Sequence, residues 1–316
     1  TEGFEFGNGL VQNAGPFPEA PESIMPKPTT PRGRPPVPSA ARPSSARPSR
    51  PGPARAGKDI RREEVREEPG KLFRVAGLSA VSALFAHDAA RVERLFFEER
   101  LKAKTGDFCK AMAAARKPYR MVEADELAKV AGTVLHGGVV ALIAPRPVPA
   151  FDIEAAKRWA VDGQPLLILD GVGNPHNLGA ILRTAAFFGL RRVVVSDHPG
   201  QALPSESAYR VAEGGFEWVE LYRASNLPTV LKRLRDSHRV AGTALGRGRT
   251  VVTDPAALAT GERPAAVVLG NEEDGLPPAT LAACEDILTL PGTGRIQSLN
   301  VAATAAILIH ALAKPG

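Results

Sequence analysis

Short apolar runs, separated by segments of helical spacing, dominate the C-terminal half of the chain. The runs are continuous rather than alternating, which is typical of parallel strands covered on both faces. They predict five strands, at Leu166–Leu169, Arg192–Val195, Val240–Thr243, Ala266–Leu269 and Ile287–Leu290. The predicted helices are Leu178–Phe188, Ser207–Ala212, Leu227–Asp236, Pro278–Cys284 and Leu299–Ala313. This alternation predicts an α/β domain built on a parallel sheet.

A shorter alternation precedes it, from Lys71 to about Pro145. Its predicted helices are Ala76–Phe85, Leu101–Lys117 and Ala124–Val130, and its predicted strands are Val92–Phe97, Tyr119–Val122 and Val139–Ile143. A proline-containing segment and a predicted helix at Ile153–Ala160 follow. We therefore predict four parts: a tail at 1–68, a small α/β domain at 69–145, a linker at 146–163 and a larger α/β domain at 164–316.

The N-terminal segment has the composition of a chain that does not fold alone. Between Met25 and Lys58 it contains ten prolines and no acidic residue. Such a segment has too little apolar surface to offset the entropy lost on ordering, so we expect a disordered Pro/Arg-rich tail. It is either a solubilising tail or linker, or an arm whose arginines contact phosphates without sequence choice.

The net charge of the chain adds little to this picture. Of the total of +6, residues 1–60 contribute +3, because they hold eight Lys/Arg and five Asp/Glu. The remainder is only mildly basic, so charge alone is weak evidence for a polyanionic partner.

The cysteine content and the length of the apolar runs limit the class of protein. Cys109 and Cys284 are too few for a disulfide framework or a cysteine-built zinc site, so we expect a reducing, cytoplasmic setting and no metal. The longest mostly apolar run, Val301–Ala313, is too short to span a bilayer and contains His310. We expect a soluble protein without membrane contact.

Three segments follow predicted strands, at the edge where open α/β sheets bind ligands. They begin at Leu169, Leu269 and Leu290. Their polar and glycine residues are Asn177 and Arg183 in the first, Gly270, Glu272 and Gly275 in the second, and Ser298 and Asn300 in the third. No Gly-x-Gly pair in the chain extends to a dinucleotide-binding fingerprint, and no P-loop lysine pattern occurs. The sequence therefore does not support an ordinary nucleotide site.

Taken one at a time, these residues have ordinary structural explanations. Asn177 and Ser298 are suitable helix N-caps, and Gly189 is a suitable helix stop. Gly270 and Gly275 are suitable turn residues. Their joint order, each set at a strand end, favours a common functional site instead.

In this order, the segments resemble the three signature motifs of the SpoU (TrmH) family in the SPOUT superfamily of methyltransferases. The matching elements are Asn177…Gly179…Arg183, Gly270-x-Glu272-x-x-Gly275 and Pro291…Ser298-Leu299-Asn300-Val301. The resemblance covers roughly 165–314. It extends more loosely to 71–145, which is similar to the L30e-like RNA-binding domain that often precedes the methyltransferase domain. The tail and the Gly173–Gly179 run are most similar to the YfiF-type members.

The resemblance implies a fold, a cofactor and an assembly. The larger domain would be an α/β trefoil knot that works as a homodimer and methylates a ribose 2′-hydroxyl of tRNA or rRNA. S-adenosyl-L-methionine would be bound largely by backbone groups, in the family at the positions that here are Gly270, Leu290, Leu299, Thr243 and Ala244. The position after Pro291, often methionine in the family, is Gly292, which removes a side chain near the cofactor loop.

The reaction requires that a poor nucleophile, the ribose hydroxyl, be deprotonated or polarised. The cofactor carries its methyl group on a sulfonium, so the leaving group is supplied without a metal. In the family, Arg183 is the proposed proton acceptor; because guanidinium normally stays protonated, binding of a phosphate and stabilisation of the alkoxide is an equal alternative. The resemblance implies that Asn177 positions Arg183 or the ribose and that Glu272 orients either of them. Ser298 and Asn300 would order the surrounding loop.

Two alternatives of other kinds remain at this point. One is a non-catalytic RNA-binding or ribosome-assembly factor that retains the methyltransferase fold, and the other is methylation of a base.

Two histidines are also candidates for a chemical role. We expect His176 to be a loop residue rather than a base, and the turn at His136 to stabilise the small domain rather than bind metal, because no other ligand lies at suitable spacing.

Overall fold

The computed structural model describes residues 72–244, 251–293, 295–296 and 298–313. The predicted tail at 1–68 therefore lies outside the described residues. Those described belong to one compact unit and contain two sheets, one of four strands and one of seven. No described helix is both long and apolar enough to cross a membrane.

The smaller sheet is built from the predicted small α/β segment. Its strands are β1 (Phe73–Ala76), β2 (Val92–Phe97), β3 (Tyr119–Met121) and β4 (Val139–Ile143). The order is β1-β4-β2-β3; β4 is antiparallel to β1 and β2, and β3 is parallel to β2. The helices are α1 (Leu78–His87), α2 (Lys102–Ala114) and α3 (Ala124–Ala131). Apolar residues of α1 and α2 pack with Val139 and Ala141, while those of α3 pack with Val140, so the sheet is covered on both faces.

The first elements differ from the predicted ones. The sequence pattern placed a helix at Ala76–Phe85, but Ala76 ends strand β1 and the helix begins at Leu78. Gly77 lies between them with a φ of 98°, a conformation that favours glycine and interrupts any regular element. Strand β1 was not predicted, because it is only four residues long and only Val75 of it is buried.

The larger sheet is parallel at every pairing among the described residues. Its strands are β5 (Leu166–Asp170), β6 (Arg192–Ser196), β7 (Glu220–Ala224), β8 (Arg239–Thr243), β9 (Val251–Val252), β10 (Ala265–Gly270) and β11 (Asp286–Leu288). The order is β7-β6-β5-β10-β8-β11-β9. Its helices are α4 (Ile153–Val161), α5 (Pro175–Phe188), α6 (Glu206–Ala212), α7 (Gly215–Trp218), α8 (Leu227–Leu234), α9 (Pro278–Ala283) and α10 (Val301–Leu312).

The continuous apolar strands are explained by burial on both faces of this sheet. In β5, Leu167 and Leu169 join a core formed with α5 and α10, whereas Leu166 and Ile168 join a second core formed with α4 and α8. Successive side chains of a strand point to opposite faces, so a strand between two helical layers needs apolar residues at every position. The predicted α/β class with a parallel sheet is therefore confirmed.

The strand order brings the chemically interesting segments to one edge. β10 lies between β5 and β8, and β11 pairs with β8. Because all four strands are parallel, their carboxyl ends share an edge of the sheet. The segments that begin at Leu169, Leu269 and Leu290 all leave the sheet there.

A buried histidine directly before β8 makes stability dependent on pH. The side chain of His238 is fully buried, and burial, with a contribution from the charge of Arg263, lowers the pKa of its imidazole to about 4. In the unfolded chain the ordinary pKa of about 6.5 applies, so the unfolded state binds the extra proton first as pH falls. The stabilisation is complete above that value and is lost as pH falls toward 4.

We expect the free energy of unfolding to fall by about 2 kcal/mol between neutral pH and about pH 5 because of this histidine. Urea denaturation of the wild type and of His238→Gln at both pH values measures the difference, since glutamine does not titrate. His87→Gln, which replaces an exposed histidine, is the matched control. An equal pH dependence in the wild type and His238→Gln would show that His238 does not carry the effect.

Candidate active site

The first segment connects β5 to α5 and does not use the predicted cap. Asn177 was predicted to be the N-cap, but the helix begins at Pro175 and its N-cap is Asn174, whose side chain accepts a hydrogen bond from His176 N at 2.9 Å. Proline at the first helical position fits this earlier start. The side chain of Asn177 is therefore not needed as a cap and can contact other segments. The predicted helix stop at Gly189 is confirmed, with a φ of 75°.

A buried glutamine holds the loop of this first segment in place. Gln201 Oε1 accepts hydrogen bonds from the backbone N–H groups of Gly171 and Val172 at 3.0 and 3.1 Å. Its Nε2 donates to the carbonyls of Val172 and Ala202. A buried amide with all these partners fixes the loop after β5. Sequence reasoning did not identify Gln201, because it lies 30 residues from its partner Gly171.

The second segment forms a tight turn after β10. Asn271 and Gly275 exchange backbone hydrogen bonds at 3.0 and 3.1 Å, and Asn271 Oδ1 accepts from Glu273 N and Asp274 N. Asn271 Nδ2 also donates to the Gly171 carbonyl at 3.0 Å, which joins the second segment to the first. Asparagine directly after Gly270, with Gly275 four residues later, is a turn signal that could have identified this residue.

The third segment runs from β11 to α10, with Gly294 and Gln297 outside the described residues. Ser298 was predicted as a helix cap, but the cap of α10 is Asn300, whose side chain accepts from Ala302 N at 2.8 Å and from Ala303 N at 3.4 Å. Ser298 and Leu299 lie just before it and are exposed. Asn300 therefore fixes the start of the helix, a role that Ser298 does not take.

The three segments meet at the side chain of Asn177. Its Nδ2 donates to Glu272 Oε1 in the second segment. Its Oδ1 accepts from Asn300 Nδ2 in the third segment at 3.2 Å. We refer to Asn177, Glu272 and Asn300 as the Asn177 cluster. One amide thus links residues that lie 95 and 123 positions away in the sequence.

Arg183 lies apart from this cluster. Its Nη1 donates to Glu213 Oε1 at 2.8 Å, at the end of α6. Six residues along α5 rotate Arg183 by about 120° from the direction of Asn177 and move it about 9 Å along the helix. Within the described residues, no hydrogen bond or ion pair joins Arg183 to the Asn177 cluster.

The remaining candidates line the ends of β8, β10 and β11. Thr243 Oγ1 donates to the Val268 carbonyl at 3.1 Å, and Ala244 N donates to the Leu288 carbonyl at 3.2 Å, so these ends are tied to one another. Gly270 is the last residue of β10, and Leu290 is partly buried just beyond β11. The residues predicted from the sequence for cofactor binding therefore occupy neighbouring strand ends, except Leu299, which lies beside Asn300.

His136 has structural contacts in the smaller sheet. It is buried, its Nδ1 accepts from Gly138 N at 3.2 Å, and Glu98 Oε1 lies 3.5 Å from the same nitrogen. These contacts order the turn that leads into β4. In the described ranges, no three His, Cys, Asp or Glu residues are grouped so as to hold a metal ion.

The chain is similar in sequence to proteins of one known family. The profile of the SpoU rRNA Methylase family matches residues 164–310, and the profile named RNA 2′-O ribose methyltransferase substrate binding matches residues 74–149. The uncharacterized tRNA/rRNA methyltransferase YfiF of Escherichia coli O157:H7 is 32% identical over 250 residues, which cover 78% of this chain and 69% of YfiF.

Two further proteins are similar along most of their length. The 23S rRNA (guanosine-2′-O-)-methyltransferase RlmB of Acinetobacter baylyi is 32% identical over 241 residues, covering 74% of this chain and 94% of RlmB. The crystal structure of an AdoMet-bound rRNA methyltransferase from Sinorhizobium meliloti has a TM-score of 0.62 at 21% identity, covers 77% of this chain and 87% of that one, and shows a shared fold. With its three motifs at one sheet edge and relatives of this identity and coverage, the chain belongs to the SpoU rRNA methylase family.

Proposed function

We propose that this protein transfers a methyl group from S-adenosylmethionine to a ribose 2′-hydroxyl of a structured tRNA or rRNA. The observation that supports this most strongly is the Asn177 cluster, because it joins all three family motifs through one side chain. RlmB, which is similar over 94% of its length, carries a 2′-O-methyltransferase name. Ribose rather than base methylation is therefore the reaction we assign.

The residues at the strand ends suit the cofactor. Ile296 and Leu299 are apolar yet 81% and 56% exposed, in the segment that leads to Asn300. Exposed apolar side chains beside strand ends, which also present backbone polar groups, suit a ligand with a flat apolar base and polar edges. Gly270, Leu290 and Leu299, with Thr243 and Ala244, would hold it. When bound, the cofactor supplies a methyl group on a sulfonium leaving group.

Within this proposal, Arg183 acts on the RNA. Guanidinium keeps its proton in proteins, and the guanidinium of Arg183 lies 2.8 Å from the carboxylate of Glu213. We therefore assign to Arg183 the binding of the phosphate next to the reactive ribose and the stabilisation of the alkoxide as it forms. Asn177 orients the ribose, Glu272 fixes the amide of Asn177, and Asn300 and Ser298 order the third segment around them.

The separation of Arg183 from the Asn177 cluster supports a homodimer. Phe187 in α5 is 82% exposed and Ile307 in α10 is 44% exposed, and ring contact between Phe188 and His310 joins these two helices. A second copy covering this apolar face would bring Arg183 of one protomer toward the cofactor loops of the other. We place the dimer in the cytoplasm, because two cysteines in the whole chain do not form the disulfide framework typical of small secreted proteins.

The predicted small domain would dock the RNA. Its substrate-binding profile match spans residues 74–149. Tyr119, Met121, Val134 and Leu135 are exposed on it; the ring of Tyr119 can stack on an unpaired base, and the aliphatic side chains can add apolar contacts. This domain would recognise RNA shape and phosphates, and the ribose that reaches the dimer cleft would be the one modified.

Incubation of the purified protein with S-adenosylmethionine labelled in its methyl group tests this function. The acceptors are rRNA and tRNA from cells that lack the gene, and the products are digested to nucleosides and identified by mass. We expect label in a 2′-O-methylated nucleoside. Label in a methylated base would exclude ribose chemistry, and binding of these RNAs without methyl transfer would identify a non-catalytic RNA-binding factor.

A further inference from the structure

Arg183 has a partner that the family motifs do not include. Its Nη1 contacts Glu213 Oε1 at 2.8 Å, and both side chains are about half exposed. Glu213 is the residue that ends α6, and its φ of 45° lies in the left-handed region, which is uncommon for a residue other than glycine. A glutamate in this conformation must be held by its surroundings.

Two glycines next to Glu213 supply that support. A Cβ on Gly215 would lie 2.8 Å from the Leu182 carbonyl oxygen and 2.9 Å from Arg183 N, so α7 begins directly against the backbone of α5. A Cβ on Gly214, whose φ is 97°, would lie 3.0 Å from Ala83 Cβ in α1. The chain after Glu213 is therefore packed closely against both α1 and the α5 backbone that carries Arg183.

The other end of this segment, residues 213–218, is fixed by buried charge. The side chain of Glu217 is only 1% exposed and lies 3.3 Å from Arg91 Nη1 and 3.1 Å from Arg146 Nη2. Arg91 also donates to Tyr209 Oη in α6 at 2.9 Å. Removing one member of a buried pair leaves a charge without compensation, so these contacts hold the 213–218 segment firmly.

We propose that Glu213 is a positioning residue that fixes the direction of the Arg183 guanidinium for methyl transfer; this rests on the function proposed above. Glu213 takes one of the five N–H donors of the guanidinium, which leaves the others for a phosphate or ribose oxygen. An exposed ion pair of this kind contributes little to stability, so its value would lie in orientation. Orientation of a reacting group has large effects on rate.

Steady-state kinetics of three Glu213 variants tests the proposal. For Glu213→Gln we expect kcat to fall about tenfold or more with an unchanged KM for S-adenosylmethionine. Glu213→Asp should recover most of the rate. Glu213→Gly should lower kcat as Glu213→Gln does while keeping or raising the midpoint of thermal unfolding, because glycine is favoured at this φ.

Glu220→Gln is the matched control, since Glu220 is equally exposed and pairs with Arg192 at 2.9 Å, away from the site. A normal kcat in Glu213→Gln, or a kcat that follows thermal stability across the variants, would overturn the proposal.

A second measurement does not depend on activity and so separates this proposal from the proposed function. In protein labelled with ¹⁵N-arginine, the Arg183 guanidinium signal is identified by its loss in Arg183→Lys. We expect slow rotation of the guanidinium in the wild type and in Glu220→Gln, and fast averaging in Glu213→Gln. Equal averaging in the wild type and Glu213→Gln would contradict positioning, even in a protein that methylates RNA. Slow rotation of the Arg183 guanidinium in a protein that transfers no methyl group would support the contact with Glu213 while refuting the proposed function.

Discussion

Replacement of Arg183 by alanine is expected to lower the rate of methyl transfer by at least about 10²–10³-fold, the loss typical when a charge-stabilising donor is removed. Binding of S-adenosylmethionine should stay measurable, because the proposed cofactor residues lie at the ends of β8, β10 and β11 and in the third segment, apart from Arg183. Single-turnover assays with labelled cofactor measure the rate. Isothermal titration calorimetry measures binding.

The controls separate chemistry from folding. Arg158→Ala removes an exposed arginine from α4, which packs on the face of the larger sheet opposite to α5, and should leave the rate unchanged. Arg183→Lys keeps a positive charge but loses the planar fork of donors, so we expect a partial loss. Wild-type turnover by Arg183→Ala would remove the arginine from the mechanism.

Replacement of Gly270 by alanine is expected to disrupt the second segment itself. A Cβ at this position would lie 2.4 Å from the Gly275 carbonyl carbon and 2.5 Å from Leu276 N, both backbone atoms that cannot rotate away. The turn that carries Glu272 must therefore move. We expect the free energy of unfolding to fall by about 1–3 kcal/mol, as overpacking usually does, and cofactor binding to be lost. Denaturant titration and calorimetry measure the two effects.

Gly292→Ala is the matched control for this substitution. Among the residues that the structure describes, no heavy atom lies within 4 Å of a Cβ built on Gly292, so stability should change by no more than about 0.5 kcal/mol. Equal stabilities of Gly270→Ala and Gly292→Ala would show that the close approach between Gly270 and Gly275 does not constrain the turn.

The larger sheet could be predicted in good part from the sequence, and the reason is physical. Leu166–Leu169 and Ala266–Leu269 are apolar at every position because both faces of these strands are covered, which leaves a signal that survives without tertiary information. β7 at Glu220–Ala224 was not predicted, because only Ala224 is buried in it. α7 at Gly215–Trp218 is too short to show a helical period.

For the candidate site, the sequence indicated which residues belong together better than it indicated the contacts between them. The order of the motifs identified Asn177, Glu272 and Asn300, but the local pattern also made Asn177 a suitable cap, and Asn174 takes that role. Gln201 and Glu213 could not be predicted, since each acts on a residue about 30 positions away through the packing of other elements. The catalytic roles, the domain limits and the trefoil knot remain predictions.

The most direct test of the central claim, that the three segments hold a methyl donor against a ribose oxygen, is a map of ribose methylation in total RNA. Cells that lack the gene would be complemented with the wild type, with Arg183→Ala or with an empty vector. We expect at least one 2′-O-methylated nucleotide to disappear without the gene, return with the wild type and stay absent with Arg183→Ala. Identical ribose-methylation maps in all strains would contradict the account.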